Sequence, residues 1–209
     1  KAYMDAAIAF LKSGNNEAGI NVFSTFGEFY LAGYGEGAAP LEAWAAENPI
    51  FVISQAFVNA ASAGKAVLEE AGSALYDGSN TSGYDAGFKT DAEFQAVLKE
   101  CGMEQIARKD VPVPTWFAGT SSADSVDYWK EANDCVSNAD GEGVYRQDKD
   151  SDAIQTAFAN AQLPASERYG ISQVKVSSET PSAAEIYAFL SVYTRYDNTF
   201  AYSNALTYR

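Results

Sequence analysis

The stretch FVISQAFVNAASAGKAVLEEA, residues 51–71, is the longest helical candidate in the chain and decides the predicted fold class. Its apolar and small residues recur at helical spacing and would line one face: Ile53, Phe57, Ala60, Ala61, Gly64, Val67 and Leu68. The small side chains at 61, 63 and 64 would let another element approach closely. We therefore predict one long helix over residues 51–71.

Shorter helices are predicted on both sides of this stretch. They cover residues 2–12, 40–47, 90–101, 121–137 and 152–162, and a last helix begins after Thr180-Pro181-Ser182. Residues 171–176 are a strand candidate for which the sequence offers no partner. We expect five to six of these seven candidate helical segments to form helices, so the predicted fold class is mainly α, with long irregular loops and at most a minor β element. We expect a single globular domain over residues 1–209, with the polar loop 72–89 as a candidate subdivision.

Charge and composition exclude several classes of function. The 209 residues include 28 acidic and 14 basic side chains, a net charge of −14, and no histidine. Without imidazole there is no Ser-His-Asp or Cys-His machinery and no histidine-bound metal. A strongly acidic surface repels phosphate backbones, so nucleic acid is not an expected partner. No window supplies the roughly 20 apolar residues of a transmembrane helix.

The two cysteines, Cys101 and Cys135, are candidates for a disulfide or for covalent attachment. In an oxidising compartment they can join two neighbouring predicted helices. Two reduced and unconnected thiols are the plainer alternative, with Cys101 in the core. A third alternative is a thioether-linked tetrapyrrole, with Asp134 near the ring nitrogens and Lys130 near a propionate.

An acidic segment around residues 138–152 is a weak candidate for a metal site. Asn138, Asp140, Glu142 and Gly143 resemble positions 1, 3, 5 and 6 of an EF-hand calcium loop, and further acids follow at Asp148, Asp150 and Asp152. The pattern fails at position 12, where Lys149 replaces the required glutamate. Calcium binding and a solvated acidic loop therefore both stay open.

Aromatic residues form the remaining feature, with 13 Tyr, 12 Phe and 3 Trp. Two aromatic segments, 23–34 and 187–208, lack the regular polar spacing of self-contained helices. Tyrosine is favoured at contact surfaces because it has an apolar ring and a polar tip. The candidate interaction surface comprises Phe23, Phe26, Phe29, Tyr30, Tyr34, Tyr202 and Tyr208. The alternative is that the two segments pack on each other as ordinary core.

These observations predict a non-enzymatic, acidic structural subunit that docks with other protein subunits in a larger assembly. A pigment-containing light-harvesting or photosynthetic assembly is one concrete version. The first alternative is an extracellular ligand-binding, calcium-binding or sensory module. The second is a carboxylate-dependent glycoside hydrolase, although no pair of acids stands out as catalytic. The acidic composition with few lysines favours a secreted, periplasmic or organelle-lumen protein over a cytosolic one.

Overall fold

The computed structural model describes residues 2–12, 29–75, 107–138, 143–147, 174–196 and 202–208. The strands are β1 (Phe29–Tyr34), β2 (Val52–Val58), β3 (Thr115–Ala118), β4 (Cys135–Asn138), β5 (Val144–Gln147), β6 (Val174–Ser177), β7 (Tyr193–Tyr196) and β8 (Tyr202–Tyr208). The α-helices are α1 (Ala2–Lys12), α2 (Ala38–Glu47), α3 (Lys65–Ser73), α4 (Ala123–Ala132) and α5 (Ala183–Leu190). Short 3-10 turns lie at Gly35–Gly37, Pro49–Phe51 and Arg108–Asp110.

The centre of the fold is a six-stranded mixed sheet in the order β1-β2-β3-β6-β5-β4. Strands β1, β2, β3 and β6 run parallel to one another. Strand β5 pairs antiparallel with β6, and β4 pairs antiparallel with β5. A separate antiparallel pair is formed by β7 and β8. The predicted mainly α fold is therefore wrong, because parallel strands with intervening helices make the chain an α/β protein.

The stretch 51–71 is not one helix but a strand, a loop and a helix. Every residue of β2 is buried, since the sheet is covered on both of its faces there. A strand buried on both faces is a continuous apolar run, which hydrophobic periodicity alone does not distinguish from a helix. Asn59 ends the strand with a φ of +48°, and α3 starts only at Lys65.

The predicted helix 121–137 also ends early, and a hairpin follows it. Helix α4 stops at Ala132, and Asp134 adopts a φ of +52° before β4 begins. The segment 138–150 was expected to be a loop, but it contains β5. Gly143, with a φ of +80°, precedes β5. Two strands of the sheet thus lie where the sequence predicted the end of a helix and a loop.

Several local predictions are confirmed. Helix α1 has the predicted bounds, and α2 begins two residues before the predicted start. Helix α5 begins after Ser182, which forms a capping box with Glu185. The strand candidate 171–176 corresponds to β6, and its partners are β3 and β5. The predicted helices 90–101 and 152–162, and residues 76–89 of the candidate subdivision, lie outside the described residues.

The two faces of the sheet carry different layers. Helices α2, α3 and α4 cover one face, and the core between them includes Trp44, Phe57, Leu68, Phe117 and Trp129. Helix α5 covers the other face through Ile186 and Leu190, which pack on Ala56, Val58, Trp116 and Ala118. We call these the three-helix face and the α5 face. No helix in the described residues is long and apolar enough to cross a membrane.

Candidate ligand-binding crevice

The winding of the chain changes direction between the neighbouring parallel strands β3 and β6. Strand β3 is followed by α4 on the three-helix face, whereas β6 is followed by α5 on the opposite face. The chain therefore leaves the carboxyl ends of these two neighbouring strands toward opposite faces of the sheet. In open α/β sheets, ligands bind in the crevice at such a point. We call the space between loops 119–122 and 178–182 the crevice.

Asn59 fastens the loops around the crevice to one another. It follows β2, and its Oδ1 accepts a hydrogen bond of 3.2 Å from the backbone N–H of Thr120. Its Nδ2 donates to Oγ1 of Thr180 over 3.4 Å. One side chain thus connects the loops that follow three adjacent strands.

Gly119 must be a glycine because of this arrangement. Its φ is +71°, in the left-handed region, and a Cβ atom at this position would collide with the amide of Asn59. Its backbone N–H donates to the carbonyl of Ser177 over 2.8 Å, which extends the pairing of β3 with β6.

A polar groove of about 440 Å³ adjoins the crevice on the α5 face. Its floor includes Trp116 of β3, whose Nε1 donates a 2.9 Å hydrogen bond to Oγ of Ser177. The Nζ atom of Lys175 lies 3.8 Å from the centroid of the Trp116 ring. The rest of the lining includes Ser178, Glu179, Thr180, Pro181 and Glu185. The volume lies in the range typical of small-molecule pockets, about 300–1,000 Å³.

Glu185 is the carboxylate of the groove whose hydrogen bonds are best defined. The hydroxyl and backbone N–H of Ser182 both donate to the Glu185 carboxylate, at 2.7 and 2.8 Å. These hydrogen bonds, together with the charge of Lys175, hold the pKa of Glu185 below its ordinary value, so the carboxylate is ionised. No ion pair joins Lys175 to a carboxylate of the described residues. The groove thus presents one unpaired ammonium and two carboxylates.

A buried carboxylate anchors the loop between β2 and α3. Glu42 of α2 is only 2% exposed, and it accepts hydrogen bonds from the Ala63 N–H at 2.8 Å and from Nε1 of Trp129 at 3.2 Å. Burial raises the pKa of Glu42, and its hydrogen bonds to Ala63, Ser125 and Trp129 oppose that rise. Ser62 and Ser125 share a 2.7 Å hydroxyl contact beside it. This network holds the loop that starts at Asn59.

The predicted cysteine site is only partly described. Cys135 carries a free thiol in the structure, and Cys101 lies outside the described residues. Burial, with a smaller contribution from Asp134, raises the pKa of the Cys135 thiol to about 12. Lys130, which was expected to meet a tetrapyrrole propionate, lies 3.6 Å from Asp127 and 4.3 Å from the centroid of the Tyr145 ring.

The predicted calcium loop has the wrong flanks for an EF-hand. Asn138 is the last residue of β4 and pairs with Tyr145 of β5, so strands rather than helices flank the segment. The other candidates, Asp140, Glu142, Asp148, Asp150 and Asp152, lie outside the described residues. Within the described ranges, no group of three or more Asp, Glu or Cys side chains is placed to hold a metal ion.

The two aromatic segments meet inside the molecule. The hydroxyl of Tyr30 donates a 2.9 Å hydrogen bond to the carbonyl of Tyr193. Phe29 packs edge-on against Trp44, with ring centroids 6.1 Å apart. Tyr34 is 54% exposed. At the contact of Tyr30 with Tyr193 the segments therefore pack as core.

The remaining candidates for the aromatic surface are only partly described. Tyr202 and Tyr208 belong to β8, whereas Phe23 and Phe26 lie outside the described residues. The proposed interaction surface as a whole stays a prediction.

Sequence reasoning missed the residues of the crevice and groove, above all Asn59, Trp116, Gly119 and Lys175. The available signal was the polar residue or glycine that follows each buried apolar run, as Asn59 follows β2 and Gly119 follows β3. That signal becomes visible only once the runs are recognised as parallel strands.

Comparison with known proteins gives no relative to guide the assignment: no family model, no curated protein and no solved structure matches the chain significantly.

Proposed function

We propose that the protein is a non-enzymatic ligand-binding module that holds a small polar molecule in the crevice and the adjoining groove. The observation that carries this proposal is that the helices following the neighbouring strands β3 and β6 cover opposite faces of the sheet. The polar lining of the groove, and the Lys175 ammonium that forms no ion pair with a described carboxylate, support the same conclusion. A binding or sensory role was one of the alternatives from the sequence.

The states of the two best-defined carboxylates favour binding over glycoside hydrolysis. A general acid in a glycosidase needs a raised pKa and access to the substrate. Glu185 lines the groove, but its pKa is lowered by the hydrogen bonds from Ser182. Glu42 has a raised pKa, but it is buried beneath the 59–64 loop. Neither residue combines the two properties.

The proposal that the protein is an assembly subunit, with or without pigment, stays a prediction, as does a secreted or lumenal location. The internal hydrogen bond from Tyr30 to the carbonyl of Tyr193 engages one of the aromatic residues that the assembly role assigned to a partner. A stoichiometric partner or visible absorption in protein purified from its source would revive that role.

The binding proposal is tested by thermal unfolding with a panel of small polar compounds: glucose, glycerol, L-glutamine, succinate, adenosine and calcium chloride. A ligand at about 100 times its Kd stabilises the folded state by about 2.7 kcal/mol. For a chain of this size, that raises Tm by several degrees. We expect at least one compound to do so, with saturable heat in calorimetry.

A matched pair of variants locates the binding. Ser178→Trp places a large side chain at the lining of the groove, and Ser73→Trp places the same side chain at the exposed end of α3. The Tm shift should persist in Ser73→Trp and disappear in Ser178→Trp. A panel without any stabilising compound, or a shift that survives Ser178→Trp unchanged, would refute the proposed site.

A further inference from the structure

The ammonium group of Lys175 is held in the groove by an aromatic ring rather than by a carboxylate. Lys175 lies on β6 with its Nζ atom 3.8 Å from the centroid of the Trp116 ring. The negative face of the indole holds the ammonium in position without neutralising its charge. A carboxylate forms a stronger, charge-assisted hydrogen bond with an ammonium than a ring face does. We therefore expect the Lys175 ammonium to bind an anionic group of a ligand.

The lining of the groove also carries negative charge. The Glu185 carboxylate is fixed by two hydrogen bonds from Ser182, and Glu179 is exposed on the lining. The hydroxyls of Ser177 and Thr180 also line this space. A group with a positive charge and several N–H donors matches these acceptors.

Only one class of ligand can pair with both the ammonium of Lys175 and the carboxylates of Glu179 and Glu185. A simple anion would meet two carboxylates against one ammonium, and a divalent cation would meet the ammonium of Lys175. A neutral molecule would form no charge-assisted hydrogen bond that carries its own opposite charge to Lys175 or to the carboxylates. A molecule with separate positive and negative groups pairs with both at once.

We propose that the groove binds a small zwitterion of the α-amino-acid class, with its carboxylate on Lys175 and its ammonium toward Glu179 and Glu185. This inference rests on the proposed function and specifies its ligand. The groove of about 440 Å³ has room for a side chain of moderate size beside the two charged groups.

The test uses four compounds that share the butanamide chain, measured by calorimetry on the full chain of the protein. L-Glutamine carries both charges, 4-carbamoylbutanoate lacks the ammonium, 4-aminobutanamide lacks the carboxylate, and butanamide lacks both. We expect L-glutamine to bind at least about tenfold more tightly than each of the other three, because each lacks at least one charge-assisted contact.

Lys175→Met should weaken the binding of L-glutamine by about tenfold or more, and should abolish its advantage over 4-aminobutanamide. Lys65→Met removes an exposed lysine of α3, away from the groove, and is the matched control. Lys175→Arg keeps the charge and should retain most of the preference, which separates loss of charge from a folding defect.

Trp116 supplies a second measurement. Withdrawal of the ammonium from the indole toward a bound carboxylate should change the tryptophan fluorescence of the wild type. That change should be absent in Trp116→Phe, which keeps Trp44 and Trp129, and in Lys175→Met. A fluorescence change that persists in both variants would contradict the assigned position of the carboxylate.

The outcomes separate this inference from the proposed function. If butanamide or glucose binds as tightly as L-glutamine and Ser178→Trp abolishes the binding, the zwitterion is refuted while the binding site stands. If no compound of the panel or the series binds, both are refuted. A preference for L-glutamine that depends on Lys175 supports both.

Discussion

Replacement of Glu42 by alanine tests how the loop beneath the crevice is held. The carboxylate accepts from the Ala63 N–H at 2.8 Å and from the Trp129 indole N–H at 3.2 Å. Glu42→Ala leaves both donors without this acceptor. Trp129 is 1% exposed, so water does not readily replace the lost acceptor there.

The size of the effect follows from these two donors. A buried donor left without a partner costs about 1–3 kcal/mol. Ala63 is half-buried and regains water in part, so its share lies at the low end. We expect Glu42→Ala to lower the free energy of unfolding by about 2–4 kcal/mol at pH 7. Urea denaturation measures this change directly.

Glu70→Ala is the control, because it removes an exposed glutamate from helix α3 with the same change of residue type. Surface substitutions of this kind usually change the free energy of unfolding by less than about 0.5 kcal/mol. If Glu42→Ala destabilises no more than Glu70→Ala, the carboxylate does not anchor the loop. The packing of helices α2, α3 and α4 would then be enough to hold the loop between β2 and α3.

The pH dependence of the Glu42 contribution has a definite sign. Burial raises the pKa of Glu42 above its ordinary value of 4.5, so the folded state holds the proton more tightly than the unfolded state does. Its contribution to stability is complete below pH 4.5 and falls as pH rises through the raised value. The difference in stability between wild type and Glu42→Ala should therefore narrow above pH 4.5. A difference that widens there would contradict the raised pKa.

Three further substitutions or reactions test the remaining features. Gly119→Ala forces a side chain into a left-handed backbone position against Asn59 and should lower the free energy of unfolding by about 1–3 kcal/mol; a loss below about 0.5 kcal/mol in urea would contradict the collision. In a Cys101→Ala variant, Cys135 should react with Ellman's reagent at pH 8 at least about tenfold more slowly in the folded chain than in the unfolded chain. The reason is that burial raises the pKa of the Cys135 thiol to about 12. Equal rates would contradict its burial. Ser54→Ala removes a hydroxyl that donates to the end of α5 over 2.9 Å and should cost about 1 kcal/mol in the same urea assay; an unchanged stability would show that the bond contributes nothing.

The sequence predicts those elements whose signals are local. The Thr180-Pro181-Ser182 start signal of α5 and the apolar stripe of α1 each lie within a few residues, so the start of α5 and both ends of α1 were predicted correctly. Strand β2 carries no such signal, because burial on both faces removes the alternation that marks a strand. Strand β6 was recognised, but its partners are determined by long-range pairing that no local pattern contains.

The candidate site could not be predicted from the sequence for the same reason. Asn59 lay in a stretch predicted to be helical, and Lys175 lay in a strand without partners. Only the pairing of β3 with β6 places Trp116 opposite Lys175, and so puts an indole beside an ammonium. The sites proposed from sequence were instead chosen by residue type, as cysteines, acids and aromatics, without the topology that brings side chains together.

Strand β6 is the last strand of the central sheet to leave the ribosome, yet it occupies an interior position between β3 and β5. Until residues 174–177 are synthesised, β3 and β5 each lack a neighbour that they have in the finished sheet. Unpaired strand edges of this kind invite mispairing and aggregation. The nascent chain is therefore most prone to aggregation just before β6, which carries Lys175, is synthesised. A truncation upstream of Val174 should accordingly yield insoluble protein.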